Sequence, residues 1–256
     1  MIVSAFIPAR LESKRFPNKV LKPIYGIPMI EHVRRRAILS KVFNKVVIVT
    51  NSKIIKKKLL KYKANVIMTK KRHLTGTSRV SEISNKYRFD FGCILFADEP
   101  FLNPYKLSNC IKKLKLFKKE KVFNLTTNLK YNDLESKNVV KTTIDRANNI
   151  IEYYRKPKTK KYPKKILKKS SGILIFKKNI IDNYNKLKSG SKEKRLKIEQ
   201  YRLLENNIKI KSIFLKDIHP SINTKKEFKN LLSLINENKE ELKILTKTKK
   251  LENKIL

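Results

Sequence analysis

The sequence predicts an α/β protein in which a mostly parallel, doubly wound sheet carries a β-rich insertion. Two observations support this fold class. Strand-like apolar runs alternate with helix-like stretches over the first half of the 256 residues, and short β-rich pieces follow them. The strand-like runs lie at 2–7, 45–50, 64–68, 92–96 and 122–126, and the helix-like stretches lie at 28–40, 52–62, 77–87 and 103–116.

The first strand, residues 2–7, ends abruptly in a cationic loop. Pro8 and Pro17 bracket a turn that cannot continue the strand. The loop carries Arg10, Lys14, Arg15 and Lys19. Ligands of α/β sheets bind at the carboxyl ends of strands, and clustered cations neutralise phosphates. The loop therefore predicts a polyphosphate site, with surface cations of a very basic chain as the alternative interpretation.

The fourth strand-like run, 92–96, is followed by the pair Asn103-Pro104. Asn caps a helix and Pro fits its first turn, so the next helix is expected to begin there. The loops after the first and fourth strands are therefore the expected ligand-binding edge of the sheet.

From about residue 127 the pattern becomes β-rich, with pieces at 138–145, 149–155 and 171–176 and a basic stretch at 156–169 that we interpret as a mobile loop. The remaining chain predicts helices at 179–187 and 194–206, a strand at 208–214 and a charged helix from about 224. We expect one domain over 1–240, a β-rich subdomain at about 127–190 and a charged helical tail at 241–256.

The net charge of +42 would ordinarily indicate nucleic acid or an anionic membrane as partner. However, Lys, Asn and Ile are abundant while Gly is scarce and Trp absent, which is typical of an AT-rich genome. The cations are also spread along the whole chain. No specific nucleic-acid partner is predicted, and a basic nucleic-acid-binding protein stays the alternative of a different class.

Cysteine spacing and the length of the apolar runs indicate the cellular compartment. Cys93 and Cys110 lack CxxC spacing, so neither a disulfide framework nor a zinc site is indicated. No apolar run reaches the ~18 residues of a membrane span, and residues 1–8 do not form a signal-peptide core. A cytoplasmic protein without a membrane partner is expected.

Five segments resemble one enzyme family. Residues 7–21, IPARLESKRFPNKVL, are similar to the nucleotide-binding signature of the 3-deoxy-manno-octulosonate cytidylyltransferases, or CMP-Kdo synthetases. Further matches follow in the family's order at 26–33, 68–79, 97–100 and 199–210. The resemblance implies a Rossmann-like nucleotidyltransferase that transfers CMP from CTP to Kdo or a Kdo-like sugar acid, for lipopolysaccharide or surface polysaccharide. It also implies Mg²⁺ as cofactor and a homodimer.

The resemblance nominates the site residues. For the nucleotide they are Pro8, Ala9, Arg10, Ser13, Arg15, Lys19, His73, Thr75, Gly76, Thr77 and Arg79. Those nominated for the sugar acid are Lys141, Arg155, Ser170, Glu199 and Gln200. Asp98 and Asn223 are the implied metal ligands, and Arg10, Lys19 and Asp98 the implied catalytic residues. Nucleotidyl transfer needs an electrophilic α-phosphate and a neutralised leaving group, which cations and Mg²⁺ supply.

The match fails at positions on the metal and sugar sides. Asn223 stands where the family has its second metal carboxylate, which removes one negative charge; Asp217 lies six residues upstream. The other departures are Phe96 for Gln, Ala97 for Gly, Ser170 for His and Ser78 for an acid. The alternatives are therefore a cytidylyltransferase for another 3-deoxy, amino or nine-carbon sugar acid, an enzyme for the same sugar acid with weaker metal binding, and a nucleotide binder without turnover. A uridylyl- or guanylyltransferase is a further alternative, because Rossmann-like nucleotidyltransferases share a basic first loop.

Overall fold

The computed structural model describes residues 1–13, 15–155, 166–216 and 221–251. Lys14, Asp217 and residues 156–165 of the expected basic loop lie outside the described residues, as do residues 252–256 of the expected tail. No helix in the described ranges combines the length and the apolar composition needed to cross a membrane.

The strands follow the predicted order along the chain. They are β1 (Val3–Ala9), β2 (Pro23–Ile24), β3 (Ile27–Pro28), β4 (Lys45–Thr50), β5 (Val66–Met68), β6 (Phe91–Ile94), β7 (Val122–Asn128), β8 (Lys141–Ile144), β9 (Ile150–Tyr154), β10 (Leu167–Lys177) and β11 (Lys211–Phe214). β10 includes residues 167–169, which the sequence assigned to the basic loop.

The helices alternate with these strands. They are α1 (Met29–Leu39), α2 (Lys53–Leu60), α3 (Gly76–Ser81), α4 (Pro104–Lys112), α5 (Tyr131–Glu135), α6 (Lys178–Asn183), α7 (Ser191–Leu196), α8 (Tyr201–Leu204), α9 (Lys225–Asn236) and α10 (Lys239–Lys250). Asn103 caps α4 as predicted, because its Oδ1 accepts from Tyr105 N and Lys106 N, both at 3.1 Å.

Several helices differ in length from the sequence prediction. α3 and α4 are shorter than predicted because each gives way to a 3₁₀ turn, at Ser84–Lys86 and Lys113–Leu116. The predicted helix at 194–206 is two short helices, α7 and α8. The charged helix predicted from about 224 is likewise two helices, which meet at Asn238, the N-cap of α10.

The main sheet has the strand order β11-β7-β10-β6-β1-β4-β5. β1 pairs in parallel with β4 and β6, and β7 pairs in parallel with β11, whereas β10 is antiparallel to both β6 and β7. β10 also pairs with β8, which pairs with β9, so the β-rich insertion is continuous with the main sheet. The predicted mostly parallel sheet with a β-rich insertion is confirmed.

Helices cover both faces of the sheet. Alternate residues of β1, from Val3 to Ala9, join a buried cluster with α1, α2 and α4, while Phe6 faces the opposite cluster with α3, α6 and α8. Successive side chains of a strand point to opposite faces, so β1 must be apolar on both. The division of the chain into a domain and a tail stays a prediction.

The C-terminal helices pack beside the loop that follows β1. Phe16 of that loop joins a third buried cluster with residues of α9 and α10, and its ring lies 5.6 Å from the ring of Phe228. Arg36 of α1 and Glu241 of α10 form a buried ion pair. Residues 225–250 therefore help to hold the cationic loop in place.

Candidate active site

One large cavity, of about 1360 Å³, opens at the carboxyl ends of β1 and β6. This is the edge of the sheet at which the sequence predicts ligands. The nominated residues that line it are Pro8, Ala9, Arg10, Ser13, Arg15, Lys19, His73, Thr75, Gly76, Arg79, Asp98, Arg155, Ser170, Glu199, Gln200 and Asn223. Thr77 and Lys141 lie behind its wall, since both are fully buried.

Lys19 is held at the centre of the predicted triphosphate and metal site. Its Nζ lies 2.5 Å from Asp98 Oδ2 and 3.3 Å from Asn223 Oδ1, and it donates to Ile222 O at 2.9 Å. Ile222 N donates in turn to Asp98 O at 2.8 Å. Asp98, Ile222 and Asn223 lie 79, 203 and 204 residues from Lys19 in the sequence, and all three contact its ammonium group.

The oxygens of Asp98 and Asn223 fit a Mg²⁺ ion completed by phosphate. Both oxygens contact the Lys19 ammonium, which indicates that they can bind one positively charged ion together. Mg²⁺ takes one or two carboxylates and keeps waters and substrate phosphates as its other ligands. Within the described ranges no group of three or more His, Cys, Asp and Glu side chains could hold a metal without such help.

The cations of the loop after β1 face the cavity in different ways. Arg10 is exposed, while Arg15 donates through Nη1 to Asn138 and through Nη2 to Asn223 Oδ1 at 3.4 Å. Arg155 lies close enough for the Arg15 charge to act on it, since burial first and this charge second lower the pKa of the Arg155 guanidinium. The cavity is therefore built for an anionic ligand.

The second nucleotide segment is shaped by Gly76. A Cβ at this position would lie 2.8 Å from Phe96 Cε1 and 3.0 Å from Pro8 Cγ, so only glycine lets α3 begin this close to the end of β1. The Thr75 side chain caps α3 by accepting from Ser78 N at 3.2 Å. The backbone here is fixed by packing and capping.

Glu199 binds the nominated Thr77 instead of facing the cavity with both oxygens. Its carboxylate accepts from Thr77 N and Thr77 Oγ1, each at 3.1 Å. Burial raises the pKa of Glu199, and the Thr77 hydrogen bonds oppose that rise. A residue nominated for the sugar thus supports one nominated for the nucleotide. Gln200, which is nearly buried, also lines the cavity.

His73 and Arg79 are held by protein partners. His73 contacts Ser78 Oγ at 3.0 Å and Glu82 Oε2 at 2.6 Å, and Arg79 donates to Asn51 Oδ1 at 2.7 Å. Burial raises the pKa of Glu82, but hydrogen bonds led by His73 bring it below the usual value. Glu82 was missed by the sequence analysis, and the neutral Ser78 at the family's acidic position was its only signal.

Two cations nominated for the sugar acid are bound to backbone carbonyls. Arg155 donates to the carbonyl oxygens of Leu196 at 2.9 Å and Lys197 at 3.1 Å. Lys141 Nζ donates to Ser136 O and Arg155 O, both at 2.6 Å, and burial lowers its pKa. Contrary to expectation, Lys141 supports the segment of Arg155 from behind, because no part of it reaches the cavity surface.

Ser170 is anchored by Asn124, a buried residue that sequence analysis missed. Asn124 Oδ1 accepts from Ser170 Oγ at 2.6 Å and from Tyr153 Oη at 3.1 Å. Its Nδ2 donates to Ser171 O and Ile173 O, both at 3.0 Å, where the register of β10 against β7 shifts. One amide thereby satisfies the backbone groups that the irregularity leaves without ladder partners.

Glu99 ties the loop after β6 to β10. Its Oε1 accepts from Gly172 N at 2.9 Å, and a Cβ on Gly172 would lie only 2.5 Å from that oxygen. Burial, reinforced by the neighbouring Asp98 charge, raises the pKa of Glu99 to about 8. Sequence analysis missed this role, for which a glycine within a strand, Gly172, was the available signal.

Solved structures share this fold. A CMP:2-keto-3-deoxy-manno-octonic acid synthetase complexed with CTP superposes with a TM-score of 0.84 at 24% identity, over 93% of this chain and 99% of that one. The 4-diphosphocytidyl-2C-methyl-D-erythritol synthase of Anaerococcus prevotii superposes with a TM-score of 0.62 at 14% identity, over 92% and 98%. The predicted nucleotidyltransferase fold is confirmed.

Sequence comparison identifies the family. A 3-deoxy-manno-octulosonate cytidylyltransferase of Chlorobium limicola is 31% identical over 224 residues, which are 85% of this chain and 91% of the relative. The enzyme of that name from Fusobacterium nucleatum is 30% identical over 245 residues, covering 91% and 96%. The cytidylyltransferase family model matches residues 4–212. The chain therefore belongs to the cytidylyltransferase family, among the 3-deoxy-manno-octulosonate cytidylyltransferases.

Proposed function

We propose that the chain transfers CMP from CTP to the anomeric hydroxyl of 3-deoxy-manno-octulosonate, giving the CMP-sugar and pyrophosphate. The observation that carries this proposal is the convergence of Lys19, Asp98 and Asn223 in one cavity with Arg10 and Arg15. In a member of this family, that arrangement is suited to a nucleoside triphosphate and a divalent cation.

The proposed reaction is an in-line displacement at the α-phosphorus. The sugar oxygen forms the new bond, the bond from the α-phosphorus to the bridging oxygen breaks, and the hydroxyl proton is released. Arg10, Arg15 and Lys19 neutralise the triphosphate and the departing pyrophosphate by charge-assisted hydrogen bonds. Asp98 and Asn223 would hold Mg²⁺, which supplies further charge neutralisation when bound.

The sugar-acid subsite is proposed to lie between β10 and α7. Arg155, Ser170 and Gln200 line this side of the cavity, and Arg155 brings a fixed positive charge for a carboxylate. Phe96 stands where the family has a polar glutamine, and Ser170 stands where it has the larger histidine, so another 3-deoxy or amino sugar acid is the second candidate acceptor.

A product assay tests both proposals. Purified protein with Mg²⁺ would be given each of the four nucleoside triphosphates and a panel of eight- and nine-carbon sugar acids, and CMP-sugar and pyrophosphate would be measured. We expect product with CTP and 3-deoxy-manno-octulosonate. Product only with another acceptor would favour the second candidate, and no product with any pair would refute the transferase proposal.

We also propose a cytoplasmic homodimer. Ile151 of β9, in the β-rich insertion, is 58% exposed, while Tyr201 and Ile210 occupy backbone groups on the edge of β9 away from β8. An exposed apolar side chain on the insertion offers a second copy apolar surface to pack against. Sedimentation equilibrium measures the mass directly: we expect twice the 30.2 kDa of one chain. A monomer at all concentrations would refute the dimer.

A further inference from the structure

Asn138 joins three distant parts of the chain at the cavity. It lies in the insertion between α5 and β8 and lines the cavity wall. Its Oδ1 accepts from Arg15 Nη1 of the loop after β1, and its Nδ2 donates to Glu227 Oε1 of α9 at 3.2 Å. These partners are 123 and 89 residues away in sequence.

The Asn138 amide satisfies both of these neighbours at once. The guanidinium of Arg15 offers donors alone, and an ionised Glu227 carboxylate offers acceptors alone. An amide carries one group of each kind, and the reverse orientation would oppose like groups on both sides. The two contacts therefore fix both the orientation of the Asn138 amide and the position of the Arg15 guanidinium that it receives.

The bridge closes into a ring with the predicted metal site. Glu227 Oε2 accepts from Asn223 N at 2.6 Å and Thr224 N at 3.0 Å, which also completes the cap of α9. Asn223 Oδ1 accepts in turn from Arg15 Nη2 at 3.4 Å. Arg15, Asn138, Glu227 and Asn223 thus form one hydrogen-bonded circuit around the cavity.

We propose that Asn138 is a positioning residue that holds the Arg15 guanidinium in place for the β- and γ-phosphates of CTP. Asn138 acts through Arg15 and does not touch the reacting atoms. The inference rests on the proposed function, because it takes CTP as the ligand of Arg15. An arginine already fixed by a neutral acceptor loses less conformational freedom on binding phosphate, which favours affinity.

The test is the substitution Asn138→Ala. It removes the two hydrogen bonds that Asn138 makes and leaves Arg15 held in the circuit by Asn223 alone. We expect the KM and Kd for CTP to rise by about three- to tenfold, the loss of one hydrogen bond. The kcat and the KM for the sugar acid should change less than the KM for CTP, because bound CTP itself holds the Arg15 guanidinium once the complex has formed.

Comparison of CTP with CMP separates positioning from a general structural effect. CMP lacks the β- and γ-phosphates, so N138A should bind CMP with wild-type affinity while binding CTP more weakly. Asn128→Ala is the matched control: Asn128 is exposed, bonds Lys168 and lies outside the cavity wall. It should leave both affinities unchanged.

A second variant covers the case in which N138A folds poorly. Asn138→Asp would pair with Arg15, offset its positive charge and add a negative charge to the cavity wall that repels the triphosphate, so its KM for CTP should rise more than that of N138A. Wild-type CTP affinity in folded N138A or N138D would overturn the inference, as would an equal loss of CTP and CMP binding. Absence of turnover in the wild-type protein would refute the proposed function, while the CTP and CMP affinities would still test Asn138.

Discussion

Lys19 and Asp98 form an ion pair in the centre of the cavity, with Lys19 Nζ 2.5 Å from Asp98 Oδ2. Their side chains are 14% and 22% exposed, so both remain reachable by a ligand. A phosphate oxygen could contact the Lys19 ammonium while a metal ion took its place beside Asp98. The pair thus keeps two oppositely charged groups in position for triphosphate and metal.

The substitution Asp98→Asn tests this arrangement. It keeps the size of the side chain but removes the charge that would hold Mg²⁺, so we expect kcat to fall by about 100-fold or more. Steady-state pyrophosphate release measures it. Asp90→Asn is the matched control, because the Asp90 side chain is 57% exposed and is not part of the cavity wall. Wild-type turnover in D98N would contradict a role for Asp98 in the reaction.

Asn223 gives a prediction in the opposite direction. Asn223→Asp restores a second carboxylate beside Asp98, so we expect the Mg²⁺ concentration for half-maximal activity to fall several-fold. Titration of activity with Mg²⁺ at saturating CTP measures it. Asn223→Ala, which removes the oxygen ligand, should raise the same concentration. An N223D enzyme that needs as much Mg²⁺ as the wild type would argue against metal contact at this position.

The site residues that sequence predicts are those embedded in long motifs. Asp98 lies in a motif whose place in the chain order identifies it, and the cavity does form around it. Site residues outside such motifs are harder to predict, because the groups that they contact in the folded chain leave no local pattern in the sequence. Nothing in the sequence around Glu199 indicates that it bonds Thr77, and the amides of Asn124 and Asn138 likewise find their partners only in the folded chain.

The fold also has features that the local sequence pattern does not predict. Alternation of apolar runs with helices predicts parallel pairing, but it carries no information on the direction of a strand inserted later in the chain. β10 therefore enters the sheet antiparallel between β6 and β7 without a sequence signal. The helix predicted from 224 was wrong in its continuity, since its charge pattern does not mark the N-cap at Asn238.

Gly172→Ala should damage both stability and activity. Its Cβ would lie 2.5 Å from Glu99 Oε1 and 2.7 Å from Phe96 Cδ2, so the cavity wall must shift. Such overpacking costs about 1–3 kcal/mol, measurable by urea denaturation. Asn128→Ala is the control, because Asn128 is exposed and lies outside the cavity wall. An equal loss in both variants would contradict the close packing at Gly172.

Glu99 predicts a specific pH dependence of stability. Its pKa in the folded protein is raised to about 8 from the ordinary 4.5, so between these values the folded state keeps a proton that the unfolded chain has lost. This protonation favours folding at low pH, and its contribution is lost as the pH rises through 8.

The isosteric substitution Glu99→Gln keeps the oxygen that accepts from Gly172 N and removes the titration. We therefore expect the unfolding free energy of the wild type to fall relative to that of E99Q from pH 5 to pH 8. Chemical denaturation of both proteins at each pH measures this difference, and a constant difference would show that Glu99 titrates at its ordinary value despite its burial beside Asp98.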